Sequence, residues 1–156
     1  MKIRAIAITV SDSRNENDDI SGEVLVECLN EIGAEFVETH IVTDDLENLI
    51  ETLKTSSEKA NLVITTGGTG FASRDNTPEA TRAIIEKEAP GLAELMRFET
   101  AKINPKAYLS RGVCGIRGKC LIINLPGSPK AVKECLRAIK PLLQHAINLI
   151  EGETKH

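Results

Sequence analysis

Residues 61–80 read NLVITTGGTGFASRDNTPEA, and their reading decides the fold. The stretch Asn61 to Thr66 is short, β-branched and apolar at successive positions, as in a strand covered on both faces. Gly67, Gly68 and Gly70 then let the backbone turn sharply and approach a ligand without Cβ obstruction. Ser73, Arg74 and Asp75 follow, and Thr77-Pro78 opens a helix, because proline is at home in a first helical turn. A buried strand that feeds a helix through a polar glycine loop is the unit of a parallel sheet covered by helices.

The same alternation extends in both directions. Met1 to Val10 predicts a strand, Ser11 to Asp19 a polar loop, and Ile20 to Ile32 a helix with Val24, Leu25, Cys28, Leu29 and Ile32 at helical spacing. Gly33 ends that helix, and a strand follows over Glu35 to Val42. Asp44 and Asp45 introduce a helix to about Ser57, with Leu46, Leu49, Ile50 and Leu53 on one face. The helix from Thr77 is expected to break near Pro90-Gly91 and resume to Lys102. Pro90 to Ile103 is apolar on one face, so the resumed helix either projects toward a partner or folds back on its own core. Ala107 to Cys114 and Lys119 to Asn124 read as two strands of a hairpin. A long helix then carries Val132, Leu136, Ile139, Leu143, Ile147 and Ile150, with Pro141 expected to kink it. The prediction is an α/β three-layer architecture: a mostly parallel sheet, helices on both faces, and one antiparallel hairpin at or near an edge. One domain over residues 1–156, without internal repeats, is expected.

Composition narrows the function. Hydrophobic residues make up 41% of the 156 positions, enough for one sizeable core. A net charge of −4 argues against a nucleic-acid partner, and 3% aromatics without tryptophan argues against a base-stacking platform. Cys28, Cys114, Cys120 and Cys135 form no CxxC pair and have no histidine at zinc-ligand spacing, so they read as small buried thiols in a reducing compartment. No apolar run is long enough for a membrane span, and the N-terminus enters a strand without a signal-peptide pattern, so a cytoplasmic protein is predicted.

In open α/β sheets, ligands bind beyond the carboxyl ends of the strands. Three loops qualify: Ser11–Asp19, Gly67–Asn76 and Pro126–Ser128. Two of them run into helix starts, where free amides and the helix dipole favour anions. Arg74 has the geometry to hold a phosphate and Asp75 a divalent ion, or the two form a plain surface pair. Asp44, just after a strand, either joins Asp75 at a Mg²⁺ or caps the following helix. Ser110 and Arg111 are needed by no strand, which favours a ligand role. No GxGxxG follows the first strand, no Walker A loop precedes Gly118-Lys119, and no GxSxG elbow is present.

Together, TTGGTGFASRDNTPEA, LSRGVCG and LIINLPGSPKAV, with TVSDSRNENDDISG near the N-terminus, closely resemble the MoaB/Mog family of molybdenum cofactor biosynthesis over about residues 3–150. Asn76, Cys114 and Cys120 depart mildly from that pattern. The resemblance implies adenylylation of molybdopterin by Mg-ATP with release of pyrophosphate, and handover of the activated pterin to a molybdenum insertase. It implies that Asp44 and Asp75 are catalytic and hold Mg²⁺, and that Ser110 belongs to the pterin site. Substrate-binding positions implied with them are Ser11, Asp12, Thr66, Gly67, Gly68, Thr69, Gly70, Arg74, Arg111, Gly112, Pro126, Gly127, Ser128 and Lys130. It further implies a homotrimer or homohexamer in a stand-alone version of a domain found elsewhere in fusions. The alternatives are a catalytically inactive molybdopterin-binding or scaffold protein of the same fold, and a nucleotide-binding regulatory module.

Overall fold

The computed structural model describes residues 1–13 and 17–153. Arg14, Asn15 and Glu16 of the predicted first loop, and the last three residues of the polar tail, lie outside the described residues.

Six strands form one sheet in the order β2-β1-β3-β6-β5-β4. They are β1 (Arg4–Val10), β2 (Phe36–Val42), β3 (Leu62–Thr66), β4 (Lys87–Glu88), β5 (Cys114–Arg117) and β6 (Cys120–Leu125). The pairs β1–β2, β1–β3 and β3–β6 are parallel, whereas β5 runs antiparallel to both its neighbours. The helices are α1 (Ile20–Glu31), α2 (Leu46–Lys59), α3 (Thr77–Ile84), α4 (Pro90–Ala101) and α5 (Pro129–Glu151).

The pleat explains the layers. Along β1, Ala5 and Ala7 pack with Leu25 and Leu29 of α1 and with Val132, Leu136, Ile139 and Leu143 of α5. The alternate residues Ile6, Ile8 and Val10 pack with Leu49 and Leu53 of α2 and with Ala80 and Ile84 of α3. Strands β1, β3 and β6 are buried on both faces, which is why they read as nearly continuous apolar runs.

Two readings of the sequence are corrected, and the alternative left open for the helix after Pro90 is decided. Ala107 to Cys114 is not a strand: Pro105–Leu109 forms a 3-10 turn, and β5 begins only at Cys114. The Asn104 side chain caps that turn by accepting the Lys106 N–H at 3.1 Å, and Pro105 supplies the fixed φ of a first turn. The break before Pro90 contains a strand, β4, held by Glu86 and Ala89 N–H bonds to the Ile116 and Cys114 carbonyls at 2.8 Å each. Helix α4 does not project from the sheet. Ala93 and Met96 are buried in the core beside α5, with Leu92 and Leu95 packed against it, while Phe98 and Ile103 remain exposed. Helix α5 runs continuously through Pro141, which lies on its exposed side.

Register places the site. Val10 pairs with Val42, Thr9 with Thr66, and Thr66 with Leu125, so the loops after four parallel strands leave one edge together. From β1 the chain winds toward β2, and from β3 toward β6, so the loops after the neighbouring strands β3 and β6 stand side by side at that edge.

Candidate active site

A cavity of about 480 Å³ opens beside the glycine loop. It is lined by Gly67, Gly68, Thr69, Gly70 and Asp75 after β3, by Ser110, and by Pro126, Gly127, Ser128 and Lys130 after β6. Nine of the predicted substrate-binding residues and the predicted catalytic Asp75 therefore meet in one place. Gly67 and Gly68 adopt φ of +98° and +68°, which a side chain resists. A Cβ on Gly68 would lie 2.3 Å from Thr77 Oγ1 and 2.9 Å from Asp44 Oδ2, and one on Gly70 would lie 2.8 Å from Asp75 Oδ2. Both predicted catalytic aspartates thus press against this loop.

Asp44 does not cap α2. That task falls to Asp45, whose Oδ1 accepts the Glu47 N–H at 3.0 Å. The Asp44 carboxylate is turned to the glycine loop instead, where Oδ1 accepts the Asn76 N–H at 3.1 Å. Partial burial raises the Asp44 pKa above its ordinary 3.8; the Asn76 bond opposes this, and the nearby Asp75 and Asp12 charges add to it. Asp75 Oδ2 accepts the Ala72 N–H at 3.0 Å.

Two carboxylates that repel each other beside a phosphate-sized backbone cradle are a donor set for a cation. Among the described residues no group of three or more histidine, cysteine or acidic side chains could hold a metal. A resident all-protein site is therefore absent there, but the pair suits Mg²⁺, which is commonly bound by one or two carboxylates plus substrate phosphates.

Other predicted residues support the cavity from outside it. Thr66 Oγ1 donates to the Pro126 carbonyl at 2.7 Å, and Gly67 N–H to the Leu125 carbonyl at 3.1 Å, which ties the β3 loop to the β6 loop. Asp12 forms an ion pair with Arg74, and its Oδ1 accepts the Asp44 N–H at 3.0 Å. The Ser11 hydroxyl accepts the Ser13 N–H at 3.3 Å. Arg111 does not line the cavity; its Nε–H donates to the Gly70 carbonyl at 2.8 Å, Nη2 donates to the Asp75 carbonyl at 2.9 Å, and Nη1 pairs with Glu79. That pairing holds the Glu79 carboxyl below its usual pKa. Gly112 fits against β6, where a Cβ would meet the Asn124 carbonyl at 3.0 Å. Ser128 caps α5, its hydroxyl accepting the Ala131 N–H at 3.1 Å.

Sequence reading missed the far wall. Thr100, Asn104, Lys106, Ala107, Leu109, Glu134 and Cys135 complete the cavity. It also missed Arg97, whose Nη1 donates to the Ser110 and Gly112 carbonyls at 3.2 and 3.0 Å and so fixes the Ser110 segment. The position of Glu134 four residues after Lys130 was a legible signal, because both lie on one helix face. A second concavity of about 660 Å³ lies between α1 and β2, but its buried Asp19 is already engaged by Thr9 Oγ1 at 2.7 Å and Gly22 N–H at 2.9 Å. Burial pushes the Cys114, Cys120 and Cys135 thiols up to about 12, so they are inert at neutral pH.

Comparison with known proteins places the chain among molybdenum cofactor biosynthesis proteins. Residues 6–145 match a family described as "Probable molybdopterin binding domain". The chain is 45% identical over 144 residues to a protein of Helicobacter pylori (strain J99 / ATCC 700824) named molybdopterin adenylyltransferase, covering 90% of this chain and 82% of that one. It is 45% identical over 148 residues to the molybdenum cofactor synthesis protein cinnamon of Drosophila melanogaster, covering 92% of this chain but only 25% of that protein. The crystal structure of the molybdopterin biosynthesis enzyme MoaB from Thermus thermophilus superposes with a TM-score of 0.89 at 44% identity, over 96% of this chain and 97% of that one.

Proposed function

Because this chain belongs to the molybdopterin-binding domain family, we propose that it adenylylates molybdopterin with Mg-ATP and releases pyrophosphate. In the reaction, the terminal phosphate oxygen of molybdopterin attacks the α-phosphorus of ATP. The new P–O bond forms as the bond from the α-phosphorus to the bridging β-phosphate oxygen breaks, and pyrophosphate leaves with the electron pair.

The observation that carries this reading is the convergence of Gly67 to Gly70, Asp75, Ser110 and the start of α5 on one cavity. Transfer of this kind needs positioning and charge neutralisation more than a covalent nucleophile. The loop's amides and the α5 N-terminus face crowded phosphate charge, and Lys106 and Lys130 add cationic groups at the rim. Asp44 and Asp75 would hold Mg²⁺, which supplies charge neutralisation on the phosphates when bound. Arg97 and Arg111 orient the Ser110 segment and the loop, with Arg111 acting through the Gly70 and Asp75 carbonyls. Arg74, paired with Asp12, steers phosphate at the entrance.

The reading extends to a cytoplasmic single domain over residues 1–156 that works as a homotrimer or homohexamer and hands its product to a molybdenum insertase. Exposed Phe98 and Ile103 on and just after α4 support an assembly face. No helix among the described residues is long and apolar enough to cross a membrane.

The test is pyrophosphate release from purified protein with molybdopterin and Mg-ATP under anaerobic conditions. Release that requires both substrates is expected. Binding of molybdopterin without release would leave a binding or scaffold protein, and ATP binding indifferent to molybdopterin would leave a regulatory module.

A further inference from the structure

The two edges of the sheet are finished differently. At one, β4 is only two residues long, a common way of keeping an edge from pairing with another chain. At the other, β2 pairs with β1 over seven unbroken residues, Phe36 to Val42, and carries no proline, lysine or bulge. Among the described residues no backbone group bonds to its outer side, and Phe36 is 50% exposed beside it. Alternation along the strand fixes what lies outward. In a parallel ladder every second residue turns its N–H and C=O to the neighbour. The Val42 carbonyl accepts the Ser11 N–H at 2.9 Å, so Phe36, Glu38, His40 and Val42 serve β1. Val37, Thr39 and Ile41 therefore hold their backbone groups to the open edge.

The sequence of β2 is complementary to itself read backwards. About Thr39, an antiparallel copy would set Phe36 opposite Val42, Val37 opposite Ile41, Glu38 opposite His40 and Thr39 opposite Thr39. These are an aromatic–β-branched pair, an aliphatic pair, an acid–base pair and a threonine pair, the kinds that stabilise antiparallel strands. Within one protomer His40 Nε2 already lies 2.8 Å from Glu38 Oε1, and both side chains remain partly open to a facing copy. Sliding the copies by two residues would set Glu38 against Glu38 or His40 against His40, so charge selects the register centred on Thr39.

We propose that β2 pairs antiparallel with β2 of a second copy of this chain about Thr39, joining two sheets into one across a two-fold axis. The pairing stands apart from the adenylylation reading and adds a two-fold contact to the assembly. Sedimentation equilibrium at micromolar concentration reads the number of subunits, and an even number is expected for the wild type. Thr39→Pro removes an outward N–H and spares the ladder to β1, so it should weaken the contact at least about 100-fold and halve the mass. Glu38→Lys should also weaken it, and Glu38→Lys combined with His40→Glu should restore it, because the charges then face each other again. Thr39→Cys should give a disulfide-linked pair on mild oxidation, since Cα atoms of such a strand pair lie about 5.5 Å apart. Ile41→Cys, two positions off the axis, should not, and the wild type with its half-buried Cys28 sets the background. Masses unchanged in both Thr39→Pro and Glu38→Lys overturn the proposal, as does cross-linking through Ile41→Cys in place of Thr39→Cys. A wild type of three subunits overturns the pairing while upholding a three-fold assembly. A monomeric wild type overturns both and leaves the edge to an extended segment of another protein.

Discussion

Arg111 Nε–H donates to the carbonyl of Gly70 at 2.8 Å, so the segment leading into β5 grips the glycine loop at its exit. The same guanidinium holds the Asp75 carbonyl and the Glu79 carboxylate. Arg111→Lys keeps the charge but loses the planar fork that reaches three acceptors at once. The variant is expected to be about 2 kcal/mol less stable in urea denaturation, and to lose at least about tenfold in kcat/KM, as the loop and the Asp75 carboxylate lose their fixed relation. Unchanged activity with lowered stability would confine Arg111 to a structural part.

Asp44 and Asp75 differ from core residues in what their loss should do. Each Asp→Asn substitution is expected to lower pyrophosphate release by about 10²-fold or more. Folding should survive, because Asn at position 44 still accepts the Asn76 N–H that Asp44 accepts now. A collapse of the melting temperature in either variant would mark the carboxylate as structural.

The raised pKa of Asp44 carries a sign of its own. Its cause is first burial and then the Asp75 and Asp12 charges, so ionising it opposes folding. The stabilising contribution of the protonated group is complete below the ordinary 3.8 and is lost as pH rises through the raised folded value. At neutral pH, Asp44→Asn should therefore match or slightly exceed the wild type in Tm, an advantage that disappears in acid. The acid limb of wild-type activity should lie above 3.8 and move downward as Mg²⁺ is raised, because the cation favours the carboxylate. Thermal scans and pH–rate profiles at two Mg²⁺ levels check both.

Gly68 and Gly118 separate backbone strain from site geometry. Both have positive φ, +68° and +57°, but a Cβ at Gly118 meets nothing within 4 Å whereas one at Gly68 strikes Thr77 Oγ1. Gly118→Ala should cost about 1–2 kcal/mol and leave activity unchanged. Gly68→Ala should cost more and abolish binding of both substrates, since Thr77 Oγ1 would give up its 3.0 Å bond to the Gly67 carbonyl. Calorimetric titration with ATP and with molybdopterin compares the two.

The sequence by itself determined the layers. Two-sided burial shows in the apolar runs of β1, β3 and β6, and helical periodicity shows in α1, α2 and α5, because both are local consequences of how a side chain points from its own backbone. That Gly67–Asn76 and Pro126–Ser128 would stand at one edge of the sheet was legible for the same reason, since strand ends and helix starts have their own residue chemistry, whereas the Ser11–Asp19 loop contributes nothing to the cavity among the described residues. Tertiary structure alone decided the rest. Lys87-Glu88 has no strand character of its own and pairs only because Ile116 and Cys114 offer carbonyls to its flanking residues. Tyr108 and Leu109 look like strand residues, yet Asn104 and Pro105 wind them into an exposed turn. Whether Asp44 capped a helix or faced the loop, and whether Arg111 met a ligand or the backbone, depended on residues 32 and 41 positions away, Asn76 and Gly70, which local patterns cannot register. Contacts between distant segments follow from sheet register, and register is a property of the folded whole.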